Sequence, residues 1–369
     1  LKTLEDGTKV YANFVKADVV GSINTFFKPT GAFLDFYIAA LITGSILGMN
    51  RKLLVKAAAR YFPAIFGGLI LSFALCSLVG AVTGYGWAKA LLLIALPIMG
   101  GGMGAGATPL SKIFDTAGAM TAEEALSVMT PAVAIGNAIS IVIAGIVVKV
   151  ITSKRWNGQG QLMQAGSIDP AELEISPEMQ AKRDKIELSN LGIGLFVSCT
   201  FFAWGYIVSK GWSMLFPKVS IHAYAWMIIT VAICKITQII PERIEVACYQ
   251  WFQFIMKNLT ATLLVGIGLC YLSIGKVIES FTLQYLVMCL VTCLGAFFGA
   301  AIVGKLVGFY PVESGLTAGL CMSNMGGTGD IAVLSAAKRM ELLPFAQIAT
   351  RICGALILIV ASILTKVLL

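Results

Sequence analysis

Charge is the first thing this sequence has little of. Only 12% of its 369 residues are charged, where soluble domains carry about a quarter. Histidine is down to a single residue, His222. No HExxH or GxSxG run occurs, and no histidine is placed to act as a base, so an intramembrane hydrolase lacks its residues. The nine cysteines show no CxxC spacing, which sets aside a disulfide framework and a zinc site. Most of them, Cys199, Cys289 and Cys293 among them, sit in apolar runs where packing is their role. The alternating ten-residue segments of a membrane β-barrel are missing. So are an initiator Met and a signal peptide. The chain opens on a polar stretch, LKTLEDGTKVYANFVKADVVGS, and its natural N-terminus is expected to lie upstream.

What is there is apolar. Hydrophobic residues make up 58% of the chain, too much for one water-soluble core of this length. Runs of 18 or more mainly apolar residues recur, each able to cross about 30 Å of hydrocarbon. The fold class is therefore an all-α polytopic membrane protein. The formal net charge of +8 reads as a positive-inside topology signal and not as a nucleic-acid footprint.

Spans are expected over 31–49, 61–82, 130–151, 191–208, 222–240, 252–274, 281–306 and 343–369, with broken apolar segments over 87–111 and 311–340. The loop NRKLLVKAAAR carries Arg51, Lys52, Lys56 and Arg60 and belongs inside the cell. The polar stretch 152–187 reads as a cytoplasmic linker between two halves. This gives a first repeat over 1–151, N-terminally incomplete, and a second over 188–369. With both polar loops inside, counting crossings makes the first broken segment enter and leave from outside, and the second from inside. Opposed interrupted segments are the layout of an inverted-topology repeat.

The first broken segment reads PIMGGGMGAGATPLSKIF and the second CMSNMGGTGDIAVLSAAKRM. Each holds a GGxG run, Gly101-Gly102-Met103-Gly104 and Gly326-Gly327-Thr328-Gly329, followed by a serine, Ser111 or Ser335. Glycine costs about 1 kcal/mol against alanine in a helix interior, and backbone groups freed in hydrocarbon need partners. A loop lining a cavity meets both demands. Its N–H groups and the following half-helix can hold an anion, and its carbonyls can hold Na⁺. Close packing of small residues explains one such patch on its own; two in mirrored topology favour a binding site. After each segment comes a helix with a polar residue at similar depth, Asn137 in PAVAIGN and Arg351 in FAQIATR. An arginine there costs about 2.5 kcal/mol or more, so it must face a cavity or a carboxylate. Its guanidinium can take a carboxylate through two parallel hydrogen bonds, which makes Arg351 the main anion ligand expected.

The other polar candidates are read two ways. Tyr271 is either a donor to a substrate carboxylate or an interfacial aromatic. Asn324, Thr328, Thr350 and Asp330 offer oxygens to a hard cation, while Asn324 and Asp330 could equally cap a half-helix. Glu313 is read as capping a helix start, His222 as lying at a helix end near water, and Lys338 and Arg339 as topology charges. Trp156 and Trp212 are interface anchors.

At these residues the sequence resembles the 2-hydroxycarboxylate transporter family, which includes sodium–citrate symporters, citrate/malate transporters and malate/lactate exchangers. The matching stretches are LITGSILGMNRKLL, PIMGGGMGAGATPLSKI, GFYPVESGLTAGLCMSNMGGTGD and ATRICG, and the resemblance runs from about Asn24 to the C-terminus. It implies a homodimeric, multi-pass protein of the bacterial inner membrane, with further N-terminal helices. One domain dimerises, and the other carries two re-entrant hairpins and moves substrate in an elevator-like way, coupled to Na⁺ or H⁺. No cofactor is implied. Carried over, Arg351 takes a substrate carboxylate, Gly327 and Thr328 form the substrate loop of the second hairpin, Gly104 belongs to the first, and Tyr271 touches substrate. Asn324, Gly326, Thr328 and Thr350 fall in the sodium-binding region. The chain departs from the sodium–citrate symporters at Met325, where they place an arginine, and at Met103, where they place an asparagine. Losing a cation for a third carboxylate points to a dicarboxylate such as malate over citrate. The alternative class is the membrane subunit of a sodium-pumping decarboxylase, which would rely on intramembrane carboxylates. Here the committed intramembrane charge is positive.

Overall fold

The helices form where apolar runs meet local start and stop signals, and the computed structural model is helical almost throughout. It describes residues 2–3, 9–10, 26, 33–48, 58–163, 177–216, 221–270 and 274–368. Tyr271 lies outside the described residues, as do the side chains at 327, 328 and 351. A short antiparallel pair, β1 (Lys2–Thr3) and β2 (Lys9–Val10), opens the chain. Then follow α1 (Phe33–Leu47) and α2 (Ala58–Val82). The first broken segment comprises α3 (Trp87–Ala90), a π-turn at Leu91–Ala95, α4 (Leu96–Met99), a second π-turn at Met103–Ala107 and α5 (Thr108–Thr116). After it come α6 (Ala122–Val150), α7 (Pro177–Asp184), α8 (Leu188–Leu215), α9 (Ala223–Thr237), α10 (Glu242–Asn258), α11 (Thr260–Cys270), α12 (Ile274–Ser280) and α13 (Leu283–Leu306). The second broken segment is α14 (Pro311–Gly315), a π-turn at Leu316–Leu320 and α15 (Gly327–Ala337). A 3-10 turn at Met340–Leu342 leads into α16 (Leu343–Leu368).

Three expected spans come out differently. The one over 191–208 runs on to Leu215. The helix expected over 130–151 starts at Ala122, because Thr121 and Glu124 form a reciprocal capping box and Pro131 sits inside the helix, not at its start. The span expected over 252–274 is two helices, α10 and α11, parted at Leu259. The residues ahead of 252 are helical as well, since α10 is an amphipathic helix carrying Glu242, Glu245 and Gln250.

Five described helices are long and apolar enough to cross a membrane: Tyr61–Val82, Ala122–Val150, Leu188–Leu215, Leu283–Leu306 and Phe345–Thr365. Helix α8 turns Phe196, Ile207 and Leu215 outward, as a lipid-facing helix does.

The helices pack in two groups. One holds α1, α8, α9 and α10. The other holds α2, α6, α13, α15 and α16 with both broken segments. Its tightest seam is α2 against α13. There Gly295 and Gly299 form a GxxxG face, and a Cβ on Gly295 would meet Ser72 Cα at 2.7 Å, while one on Gly299 would run into Gly67 O. Small residues let the two backbones touch, which replaces a hydrophobic driving force that lipid does not supply. The groups meet where α16 lies against α9 and α1, and where α1 reaches the Met103–Ala107 turn.

Candidate functional site

Each broken segment turns at a glycine that no other residue could replace without strain. Gly102 has φ 98° and ψ −169°, and Gly326 has φ 82° and ψ −152°. Both fall in a region open essentially to glycine alone. Each directly precedes the second helical half, and Ser111 and Ser335 follow nine residues later. The structural equivalence therefore pairs Gly102 with Gly326, one residue away from a pairing of the GGxG runs.

The two tips meet. A Cβ on Gly102 would lie 2.8 Å from the Met325 carbonyl carbon, and one on Gly326 would lie 3.1 Å from Gly101 O. Helix α16 backs them: a Cβ on Gly101 would stand 3.5 Å from Thr350 O, and one on Gly354 would stand 3.2 Å from Gly100 O. Asn137, on α6, accepts a hydrogen bond from Met325 N at 3.2 Å. Met325 keeps 38% of its surface exposed, while Met103 is buried. Gly104 lies so close to α1 that a Cβ would sit 3.1 Å from the Tyr37 ring. The Tyr37 hydroxyl hydrogen-bonds Thr260 Oγ1 at 2.8 Å.

Beneath the second tip the oxygens converge. Asn324 Oδ1 accepts from Gly326 N at 2.7 Å, and Asn324 Nδ2 donates to Asp330 Oδ1 at 2.9 Å. The Thr350 hydroxyl stands 2.9 Å from both Asp330 Oδ1 and Cys321 O. Its single proton can go to one of them. All three side chains are buried. Gly329 has no room for a side chain beside Asn324, because a Cβ would meet Asn324 Cγ at 2.7 Å. Behind the tip, Ser140 on α6 and Ser323 hydrogen-bond through their hydroxyls at 2.9 Å.

The structure thus brings Met103, Gly104, Asn137, Asn324, Met325, Gly326 and Thr350 to one place. Gly327 and Thr328 enter it as the first residues of α15, and Arg351 as the residue after Thr350 on α16; only their backbone positions are described. Sequence reading missed Tyr37, Ser140 and Ser323. Nothing short-range marks them, because each is recruited by a partner more than 180 residues away.

At the junction of the helix groups stands a second polar cluster. Asp35 on α1 accepts from Lys112 Nζ of α5 at 2.7 Å and from the Tyr224 hydroxyl of α9. His222 caps α9, its Nδ1 accepting from Tyr224 N at 3.3 Å. It is half-buried at that helix end. Arg339, read from sequence as a topology charge, lies 3.7 Å from a fully buried Glu313.

Five membrane-length helices define a multi-pass membrane protein, in which two glycine-broken segments meet over a buried polar cluster. The chain matches the 2-hydroxycarboxylate transporter family over residues 3–363 and belongs to it. It is 39% identical to the malate transporter MleP of Lactococcus lactis over 96% of this chain and 80% of that protein. It is 38% identical to the citrate transporter CitP of Leuconostoc mesenteroides, over 97% and 76%. With the citrate/sodium symporter of Klebsiella pneumoniae it shares 36% identity, over 96% and 78%. The family and these relatives are transporters and not enzymes, which removes the decarboxylase-subunit alternative.

Proposed function

We propose that the chain moves a 2-hydroxy dicarboxylate, malate in preference to citrate, across a bacterial inner membrane together with Na⁺. Arg351 takes one substrate carboxylate through its fork of donors. The backbone N–H groups around Gly104, Gly327 and Thr328 take the rest of the anion at the start of the second helical halves. Asn137, Met103, Met325 and Tyr271 complete the wall. Na⁺ is held by the oxygens of Asn324, Thr328 and Thr350 and the carbonyl of Gly326, with Asp330 supplying negative charge. What carries the reading is the meeting of the two glycine tips directly above the Asn324–Asp330–Thr350 cluster. An anion and a cation can then load side by side, each offsetting the other's charge in a site poor in water. Met325 in place of a cation leaves a third carboxylate unmatched, which is the argument for malate.

In this reading the broken segments are re-entrant hairpins of an inverted repeat, 1–151 and 188–369, joined by 152–187. The helix group that carries them slides elevator-fashion against the other, which forms a homodimer. The experiment is uptake of labelled malate into proteoliposomes, with and without a Na⁺ gradient and with unlabelled citrate as competitor. Na⁺-driven uptake that citrate barely inhibits supports the proposal. Uptake driven only by a proton gradient, or by lactate inside, replaces Na⁺ symport with H⁺ symport or exchange. Arg351→Lys should cut uptake severely, and near-normal kinetics in that variant would remove Arg351 from the site.

A further inference from the structure

The polar linker makes contacts that binding at the tips does not use. Residues 152–163 leave α6 and fold across the base of the second broken segment. Met163 pairs with Phe309 as an antiparallel bridge. Tyr310 N donates to Leu162 O at 2.9 Å and Val312 N to Trp156 O at 3.0 Å. The carboxylate of Glu313 accepts from Gly158 N at 2.8 Å and from Gly160 N at 3.2 Å. Just past the end of α15, Arg339 faces that carboxylate and donates through Nη2 to Asn157 Oδ1 at 3.2 Å. Asn157 Nδ2 donates to Ile151 O at 2.8 Å, and Lys305 stands 4.1 Å over the Trp156 ring. The local sequence is shaped for this. Gly158 has no space for a side chain against Tyr310 and Gln161, and Gly160 has φ 103°. Glu313 opens the segment and Arg339 follows it, so both its feet are tied to one strap.

The far end of the linker is tied elsewhere. Gln250 of α10 donates to Lys182 O at 2.9 Å and Lys185 O at 2.8 Å, and accepts from Asn190 Nδ2 at 3.2 Å. Lys182 pairs with Glu242 at 3.0 Å, and Arg183 lies 4.5 Å over the Tyr249 ring. Helix α7 therefore belongs to the group of α8 and α10, while residues 152–163 belong to the group of the broken segments.

We infer that residues 152–163 are a strap that travels with the second broken segment and fixes its base, with Glu313 as a positioning residue for the substrate loop, so that the segment opens only at its tip. The inference rests on the reading in which the two helix groups shift against each other. A buried carboxylate held by two N–H groups and an arginine is a strong anchor, because removing a partner strands a charge.

The test uses the full chain in proteoliposomes, with Cys199→Ser as background. Met163→Cys with Phe309→Cys puts thiols on bridge partners, whose Cα atoms are about 4.5–5.5 Å apart in an antiparallel pair and suit a disulfide. Oxidised and reduced protein should take up malate within about twofold of each other, as expected of parts that move together. Uptake lost on oxidation and restored by reductant means that the strap must part from the segment, which overturns the inference. Phe309 is a core residue, so a second pair guards against misfolding. Asn157→Cys with Arg339→Cys loosens a foot, and bridging it with a short bis-maleimide should restore uptake; no restoration overturns the inference. Glu313→Gln should raise KM about tenfold, with Vmax within about twofold; a lost Vmax at unchanged KM would leave Glu313 a folding role only. Asp35→Cys with Lys112→Cys, bridged across the two groups, should stop uptake. If that bridged protein still transports, the shifting-group reading fails, and the strap result is judged on its own pairs.

Discussion

Replacing Gly102 with alanine tests whether the contact between tips matters to transport. Two costs add. The conformation at φ 98° and ψ −169° costs a residue with a side chain about 1–3 kcal/mol. The new methyl would also lie 2.8 Å from the Met325 carbonyl carbon and 2.9 Å from its oxygen, well inside an ordinary carbon contact of about 3.5–4.0 Å. Backbone cannot swing aside as a side-chain end can, so the tips must part by several tenths of an ångström. A loss near 2 kcal/mol in the closed arrangement lowers affinity roughly thirtyfold. The assay is the initial rate of malate uptake over a range of concentrations. Gly192→Ala is the control, since a Cβ there meets nothing within 4 Å, and alanine favours its helix. The control should transport normally, while Gly102→Ala loses most uptake at low malate. A Gly102→Ala protein that folds and transports like the control would refute the idea that the tips must close on each other.

Asp330→Asn should leave a folded protein whose malate uptake no longer responds to a Na⁺ gradient, because Asn324 and Thr350 keep a partner at Oδ1 while the negative charge is gone; unchanged Na⁺ dependence removes Asp330 from the cation site. Met325→Arg should strengthen citrate's inhibition of malate uptake by about tenfold, the value of one charge-assisted pair, and unchanged inhibition counts against the dicarboxylate argument.

How much of this was readable depended on range. Apolar runs gave the spans because hydrocarbon leaves a helix few alternatives, and the glycines marked both breaks. The start signals at 121–124 and 241–242 place the beginnings of α6 and α10 ahead of the apolar runs, while nothing local marks the division between α10 and α11 at Leu259. The GGxG runs coincide with the breaks but suggest a register one residue off, because the helical half begins after whichever glycine takes the special conformation, and only the backbone reveals that. Tyr37, the Ser140–Ser323 pair and the Glu313–Arg339 anchor were out of reach. A lone buried hydroxyl has no mark of its own until the fold supplies its partner.

Burial also sorts the ion pairs by what each is asked to do. Lys235–Glu245 and Glu313–Arg339 each lie within one helix group, and their most buried members, Lys235 and Glu313, keep 4% and none of their side-chain surface exposed. Breaking such a pair would strand a charge at high cost, so these pairs suit parts that stay together. Asp35–Lys112 spans the two groups, and its side chains retain 25% and 12%. Partial exposure of both ends lowers the cost of separation, and Tyr224, in the same group as Asp35, would keep its hydrogen bond if Lys112 moved away. The proposed sliding of one helix group past the other would need durable pairs inside each group and a breakable one between them, and Asp35–Lys112, with neither end fully buried, suits the second part as Lys235 and Glu313 suit the first.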